Sequence, residues 1–188
     1  MVDEALQLAN SYAPVQWTLA VCSAYMGREK EAVELLEQSM TIYPVAGSEQ
    51  DEINTFPSVC ILEASVLLKH KEIAETLFER LKSTTVSTTG MWWLTCIPRH
   101  LGGAAALLER YDEAKEHFEE AITVCTDMRF RPELALSRLG LGEVLLDHYP
   151  DEKPEALEHL DFAIKEFREM KMQPSLERAL RRKDILKA

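Results

Sequence analysis

The sequence predicts an all-α fold: a right-handed α-solenoid of about four helix pairs, with a capping helix behind the last pair. Four observations predict it. Alanines that open the second helix of each pair fall at Ala32, Ala74, Ala114 and Ala156, in steps of 42, 40 and 42 residues. Small residues at a fixed period mark where the helices of a repeating stack come closest. Apolar residues recur at spacings of three and four, the stripe of a helix packed on one side. No run of apolar–polar alternation carries β-branched residues across a strand length. Finally, Ala, Leu and Glu dominate a chain that is 46% hydrophobic and 28% charged, the balance of amphipathic helices.

In order, the chain reads as one repeat domain, 1–188. Residues 1–13, with Ala5, Leu6 and Ala9 ahead of Pro14, read as half a repeat, which suggests a chain cut from something longer. The first pair, 14–44, carries Trp17, Leu19, Ala20 and Ala24, turns at Gly27, and continues with Ala32, Leu36 and Ser39 to Pro44. An acidic linker over 45–54 follows. The second pair, 56–83, sets Ile61, Leu62, Ser65 and Leu68 on one helix and Ala74, Phe78 and Leu81 on the next. The polar, β-branched stretch 82–90 is a loop.

The third pair, 92–128, is the clearest. Its first helix is expected over 92–109, with Pro98 in the first turn or kinking it. Gly102, Gly103, Ala104, Ala105 and Ala106 let a neighbouring helix approach. Its second helix puts Tyr111, Ala114, Phe118, Ala121 and Ile122 on one face. The fourth pair, 132–170, opens on Pro132 and Glu133, a proline in the first turn and an acid beside the helix N-terminus. Pro150 and Pro154 interrupt it before Ala156, Leu160 and Ala163. Residues 174–188 supply the capping helix, with Leu176, Ala179, Leu180, Ile185 and Leu186 inward.

Leu101-Gly102, Tyr111 and Ala114-x-x-x-Phe118-x-x-Ala121 resemble the tetratricopeptide repeat (TPR), in which a Leu-Gly pair, a turn Tyr and this ladder recur. Leu141-Gly142 and Gly27, Ala32, Leu36 and Pro44 match as well, while Glu109 stands where the family has its turn glycine. The family repeat is about 34 residues long, so the additional residues here belong in loops. The stretches 128–135 and 167–172 are similar to the C-terminal helical arms of large bacterial regulators, of the ATPase/adenylyl-cyclase or LuxR-type transcriptional kind. That resemblance implies a sensor or docking platform with no catalysis of its own.

Composition narrows the function classes. A net charge of −11 argues against direct nucleic-acid binding, which needs an excess of Lys and Arg. No stretch reaches the about 20 apolar residues of a membrane span, and no secretory apolar region follows Met1. Cys22, Cys60, Cys96 and Cys125 are scattered, the usage of reduced thiols in a cytoplasmic protein. No zinc-spaced Cys/His set, Walker loop or Gly-x-Ser-x-Gly is present, so no catalytic, cofactor or metal site is expected. An enzyme is only the remote alternative, to be revived by a small molecule bound at Arg99 and Arg138.

The candidate site is therefore a surface. First helices line the inner face of such a stack, and the register points Trp17, Val21, Val59, Glu63, Arg99, Gly103, Leu139 and Glu143 there, with Arg138 flanking. Arg99, His100, Arg131 and Arg138 gather in an otherwise acidic chain, where guanidinium groups hold a carboxylate or phosphate bidentately unless local acids such as Glu133 or Glu143 neutralise them. Trp92 and Trp93 are the second candidate, because adjacent helical positions point about 100° apart and cannot both enter one core face. The expected partner is a protein or peptide, acidic in character, with self-association into a homodimer as the alternative. The basic run Arg178, Arg181, Arg182, Lys183 and Lys187 either meets an anionic partner or packs on the chain's own acidic surface. On this reading Arg99→Glu abolishes binding without lowering the melting temperature, and Ala114→Phe unfolds the central repeats.

Overall fold

The computed structural model describes residues 16–42, 55–90 and 94–185. The half-repeat, the 45–54 linker, and Trp92 and Trp93 lie outside them. The described residues form nine α-helices: α1 Gln16–Tyr25, α2 Glu29–Ile42, α3 Thr55–Leu68, α4 Lys71–Leu81, α5 Ile97–Leu107, α6 Tyr111–Asp127, α7 Arg131–His148, α8 Lys153–Met170 and α9 Gln173–Ile185. A 3-10 turn, Pro150–Glu152, precedes α8. Among the described residues there is no strand, only an isolated antiparallel bridge between Thr88 and Cys96. The fold is all-α, built of TPR-like helix pairs. The chain divides into two compact units, Met1–Thr85 and Val86–Ala188.

The pairs share one turn. α1, α3, α5, α6 and α8 each end on a residue in the left-handed region: Gly27, Lys69, Glu109, Arg129 and Lys171, with φ between +55° and +72°. The next N–H reaches back to the carbonyl five residues earlier, as in Arg28 to Ser23 at 2.9 Å and Arg110 to Ala105 at 2.9 Å. This closure satisfies helix-end carbonyls that otherwise lack partners. The following carbonyl then starts the next helix, where the ladder alanines Ala32, Ala74 and Ala114 donate to Arg28, His70 and Arg110.

In the first unit α3 is the centre. It packs against α1, α2 and α4, and nine consecutive residues from Pro57 to Ser65 are buried. Ala32, Leu36, Ala74, Leu77 and Phe78 complete the core.

In the second unit each helix packs on the next. The first helices α5, α7 and α9 also meet in succession, whereas α6 and α8 do not approach each other. This unit therefore opens on its second-helix side and closes along the α5–α7–α9 row. Its core joins Ala135, Leu139, Leu160, Ala163, Ile164, Phe167 and Ala179. The Phe118 ring of α6 fits against Gly102 of α5 and Gly140 of α7, where a Cβ would stand 2.8 Å and 2.4 Å from ring atoms.

One helix boundary is corrected. α5 begins at Ile97 rather than 92, because Pro98 occupies its first turn and the chain before it is tied down as a clasp. Thr89 N–H donates to the Thr95 carbonyl at 3.2 Å and Ile97 N–H to the Ser87 carbonyl at 2.9 Å. Pro154 likewise starts α8 instead of merely breaking the chain.

Candidate interaction surface

Three of the sequence-predicted groove residues are taken up by junctions between consecutive first helices. Glu63 of α3, only 8% exposed, accepts from the Tyr25 hydroxyl at the end of α1. Arg99 of α5 donates from Nε to Glu133 Oε2 of α7 at 2.6 Å, and from Nη2 to Oε1 at 3.3 Å. Glu143 of α7 accepts from Arg178 Nε of α9 at 2.9 Å. Each junction centres on a glutamate.

The Arg99–Glu133 junction is the most enclosed. Glu133 is 6% exposed and also accepts the backbone N–H of Cys96 at 3.2 Å. Cys96 caps α5, so one carboxylate fixes the start of α5 to the first turn of α7, where the helix dipole favours negative charge. Arg99 Nη2 lies 3.3 Å from Thr95 Oγ1 and 2.9 Å from His100 Nε2, and those two atoms are 2.7 Å apart. Burial works to raise the Glu133 pKa, but the Arg99 guanidinium, by charge and hydrogen bond, with His100 and the Cys96 N–H, holds it below the usual carboxylate range. Beneath this network the buried Cys96 and Cys125 thiols share a hydrogen bond, which together with burial pushes the Cys96 pKa up. Cys60 is buried as well, and Cys22 is exposed.

The arginines expected to form one anion clamp point to three places. Arg138 turns onto its own pair, its guanidinium carbon 4.3 Å above the Phe162 ring and Nη1 3.4 Å from His159 Nδ1. His159 has its pKa lowered by burial and then by Arg138. Arg131 reaches Glu166 at 2.8 Å and Glu169 at 2.7 Å. The clamp is not assembled, because each guanidinium has found a partner on an adjacent helix: Arg99 on α7, and Arg131 and Arg138 on α8. Val21, Val59 and Leu139 are also corrected: they lie in the core and not on the inner face. Trp17 on α1 and Gly103 on α5 are half-buried. The basic run on α9 packs on the acidic surface, with Arg178 on Glu143, Arg182 on Asp147 and Lys183 on Asp161.

Two surface features were missed. A cleft of about 590 Å³ opens between the start of α6 and the end of α7. There the Tyr111 and His148 rings stack 3.4 Å apart, 14° from parallel. The Tyr149 hydroxyl donates to Asp112 Oδ1 at 2.5 Å, which pushes its pKa up to about 12. Aromatic residues at two neighbouring turns were the signal available for this cleft. Val86, Leu94 and Met128 of the second unit are each about half exposed, at 49%, 50% and 49%. Among the described residues no group of three or more His, Cys, Asp or Glu is placed to hold a metal ion, and no helix is long and apolar enough to cross a membrane.

A family model for the tetratricopeptide repeat matches residues 100–127, the α5–α6 pair from His100 to Asp127. No curated protein and no solved structure matches the chain.

Proposed function

We propose that the chain is a non-catalytic protein-binding module: the cytoplasmic regulatory arm of a bacterial-type signalling or transcription regulator, acting on a protein or peptide partner and not directly on nucleic acid. The observation that carries this reading is the α5–α6 pair, which is similar to a repeat that generally serves protein–protein interaction. The row of α5, α7 and α9 is the inner face of the second unit, and Gly103 and Ala106 are half-buried along it. An acidic peptide would have to displace Glu133, Glu166 or Glu169 to reach Arg99 or Arg131. This favours recognition by shape and apolar contact.

Selection of a displayed peptide library on the full chain tests the reading. Selected peptides should lose at least tenfold in affinity for an Ala106→Arg variant whose melting temperature is unchanged. Selected peptides that bind this variant as well as the parent chain would remove the inner face from consideration. The exposed Val86, Leu94 and Met128 favour a second reading, a self-associating scaffold. Light scattering behind size exclusion separates the two: a dimer dissolved by Leu94→Asp supports the scaffold, and a monomer supports the arm.

A further inference from the structure

The last helix is held differently from the rest of its unit. α7 buries nine residues and α8 six, whereas among the described side chains of α9 Ala179 alone is fully buried. Leu176 and Leu180 are only partly buried against the α7–α8 core. A cleft of about 500 Å³ remains between α8 and α9, lined by Ile164, Arg168, Leu180 and Lys183 among others. In place of close packing, α9 is held by charge of one sense. Arg178 and Arg182 meet Glu143 and Asp147 of α7, and Lys183 meets Asp161 of α8. Several of these side chains stay open to water: Arg178 is 56% exposed, Asp147 49% and Asp161 56%. Such pairs are weak singly and are screened by salt. α9 is joined to α8 through the turn at Lys171, a non-glycine residue at φ +56°.

We propose that the α7–α8 face beneath α9 is an exchangeable docking site for a basic amphipathic helix of a partner protein, with α9 as its resident occupant. The face specifies the chemistry of that helix. An apolar floor of Leu139, Ile164 and Phe167 is bordered by the carboxylates of Glu143, Asp147 and Asp161. A matching helix carries apolar residues at i, i+3 and i+4, as Leu176, Ala179 and Leu180 do. It carries basic residues at i+2, i+6 and i+7, as Arg178, Arg182 and Lys183 do. The α7–α8 face beneath α9 is separate from the surface at Gly103 and Ala106, so the proposal stands whether or not that surface binds a peptide.

The test is a fluorescence-anisotropy titration of the full chain with a labelled synthetic peptide carrying the sequence of residues 173–185. A resident occupant reduces the apparent affinity by the fraction of open face. The parent chain should therefore bind the peptide weakly, and an Arg178→Glu/Arg182→Glu chain at least tenfold more tightly. A peptide with the same two reversals should not bind. Equal affinity of the two chains for the peptide overturns the proposal, and so does a variant that no longer folds, since α9 would then be an integral part of the unit. Hydrogen exchange on the unaltered chain gives an independent reading. Raising salt from 50 to 500 mM should speed α9 amide exchange at least tenfold relative to α7 and α8; unchanged relative protection overturns the proposal.

Discussion

Phe118 and Gly140 meet so closely that a Cβ on the glycine would stand 2.4 Å from the ring. The ring belongs to α6 and the glycine to α7, so the contact joins one helix pair to the next. Gly102 meets the Cγ end of the same ring within its own pair, where Gly140 meets the Cε1–Cζ edge. Phe118 is 4% exposed and close to both glycines, so it has little room to move.

Gly140→Ala should therefore destabilise the full chain by about 1–3 kcal/mol, the cost of overpacking a filled core. Phe118→Leu in the same chain should recover part of that loss, because it vacates the contested space. Urea unfolding of the two single variants and the double variant measures the coupling. Strictly additive losses would show that the ring and the glycine do not compete.

Arg99→Glu should lower stability by about 3–5 kcal/mol, the cost of leaving a buried charge unpaired. Its carboxylate would face Glu133, which is 6% exposed. This reverses the expectation from sequence, in which Arg99 faces a ligand and the melting temperature holds. A chemical melt with an unmoved midpoint would return Arg99 to the inner face.

Acid should weaken the second unit through Glu133. Its folded pKa lies below its unfolded one, so the folded state binds that proton less readily. The stability it contributes is fully present above the ordinary carboxylate range and is lost as pH falls through the lowered folded value. Melting temperatures between pH 3 and 6 should fall less steeply for Glu133→Gln than for the parent chain. Parallel curves would mean that other acids set the slope.

Arg129→Gly should stabilise the chain. Arg129 is exposed and sits at φ +55°. Left-handed backbone costs a non-glycine residue about 1–2 kcal/mol, and glycine's greater unfolded-state freedom offsets about 0.5–1 kcal/mol of the gain. A net gain of about 0.5–1 kcal/mol is expected, and Gly27→Ala should lose a similar amount. Calorimetry on both variants checks the pair of signs.

The helix pairs were legible because periodicity and close approach act locally. Ala32, Ala74, Ala114 and Ala156 are all 0% exposed, which is where a period of small residues must lie. The turn at Glu109 was less legible. The family glycine is missing, yet the backbone takes φ +64° because the packing of both helices fixes the turn. The start of α5 was misplaced because Pro98 permits either a first turn or a kink, and the Thr89–Thr95 clasp that decides it is a contact between loop residues. The candidate surface was legible only in part. Register gives the face of a Cα, but a long guanidinium chooses among neighbours, and Arg138 chose the Phe162 ring. Glu133 entered the sequence reading as a neutralising acid; its role as a hub required knowing that Cys96 caps α5 beside it.

The row of first helices in the second unit is joined glutamate to arginine, while α6 and α8 stand apart. Mechanically, this is a strip stitched along one edge. It resists stretching along the stitched edge and yields by fanning at the other. Force applied through the chain would be borne by the inner stitches first, and curvature would change by spreading the outer helices with little repacking of the core.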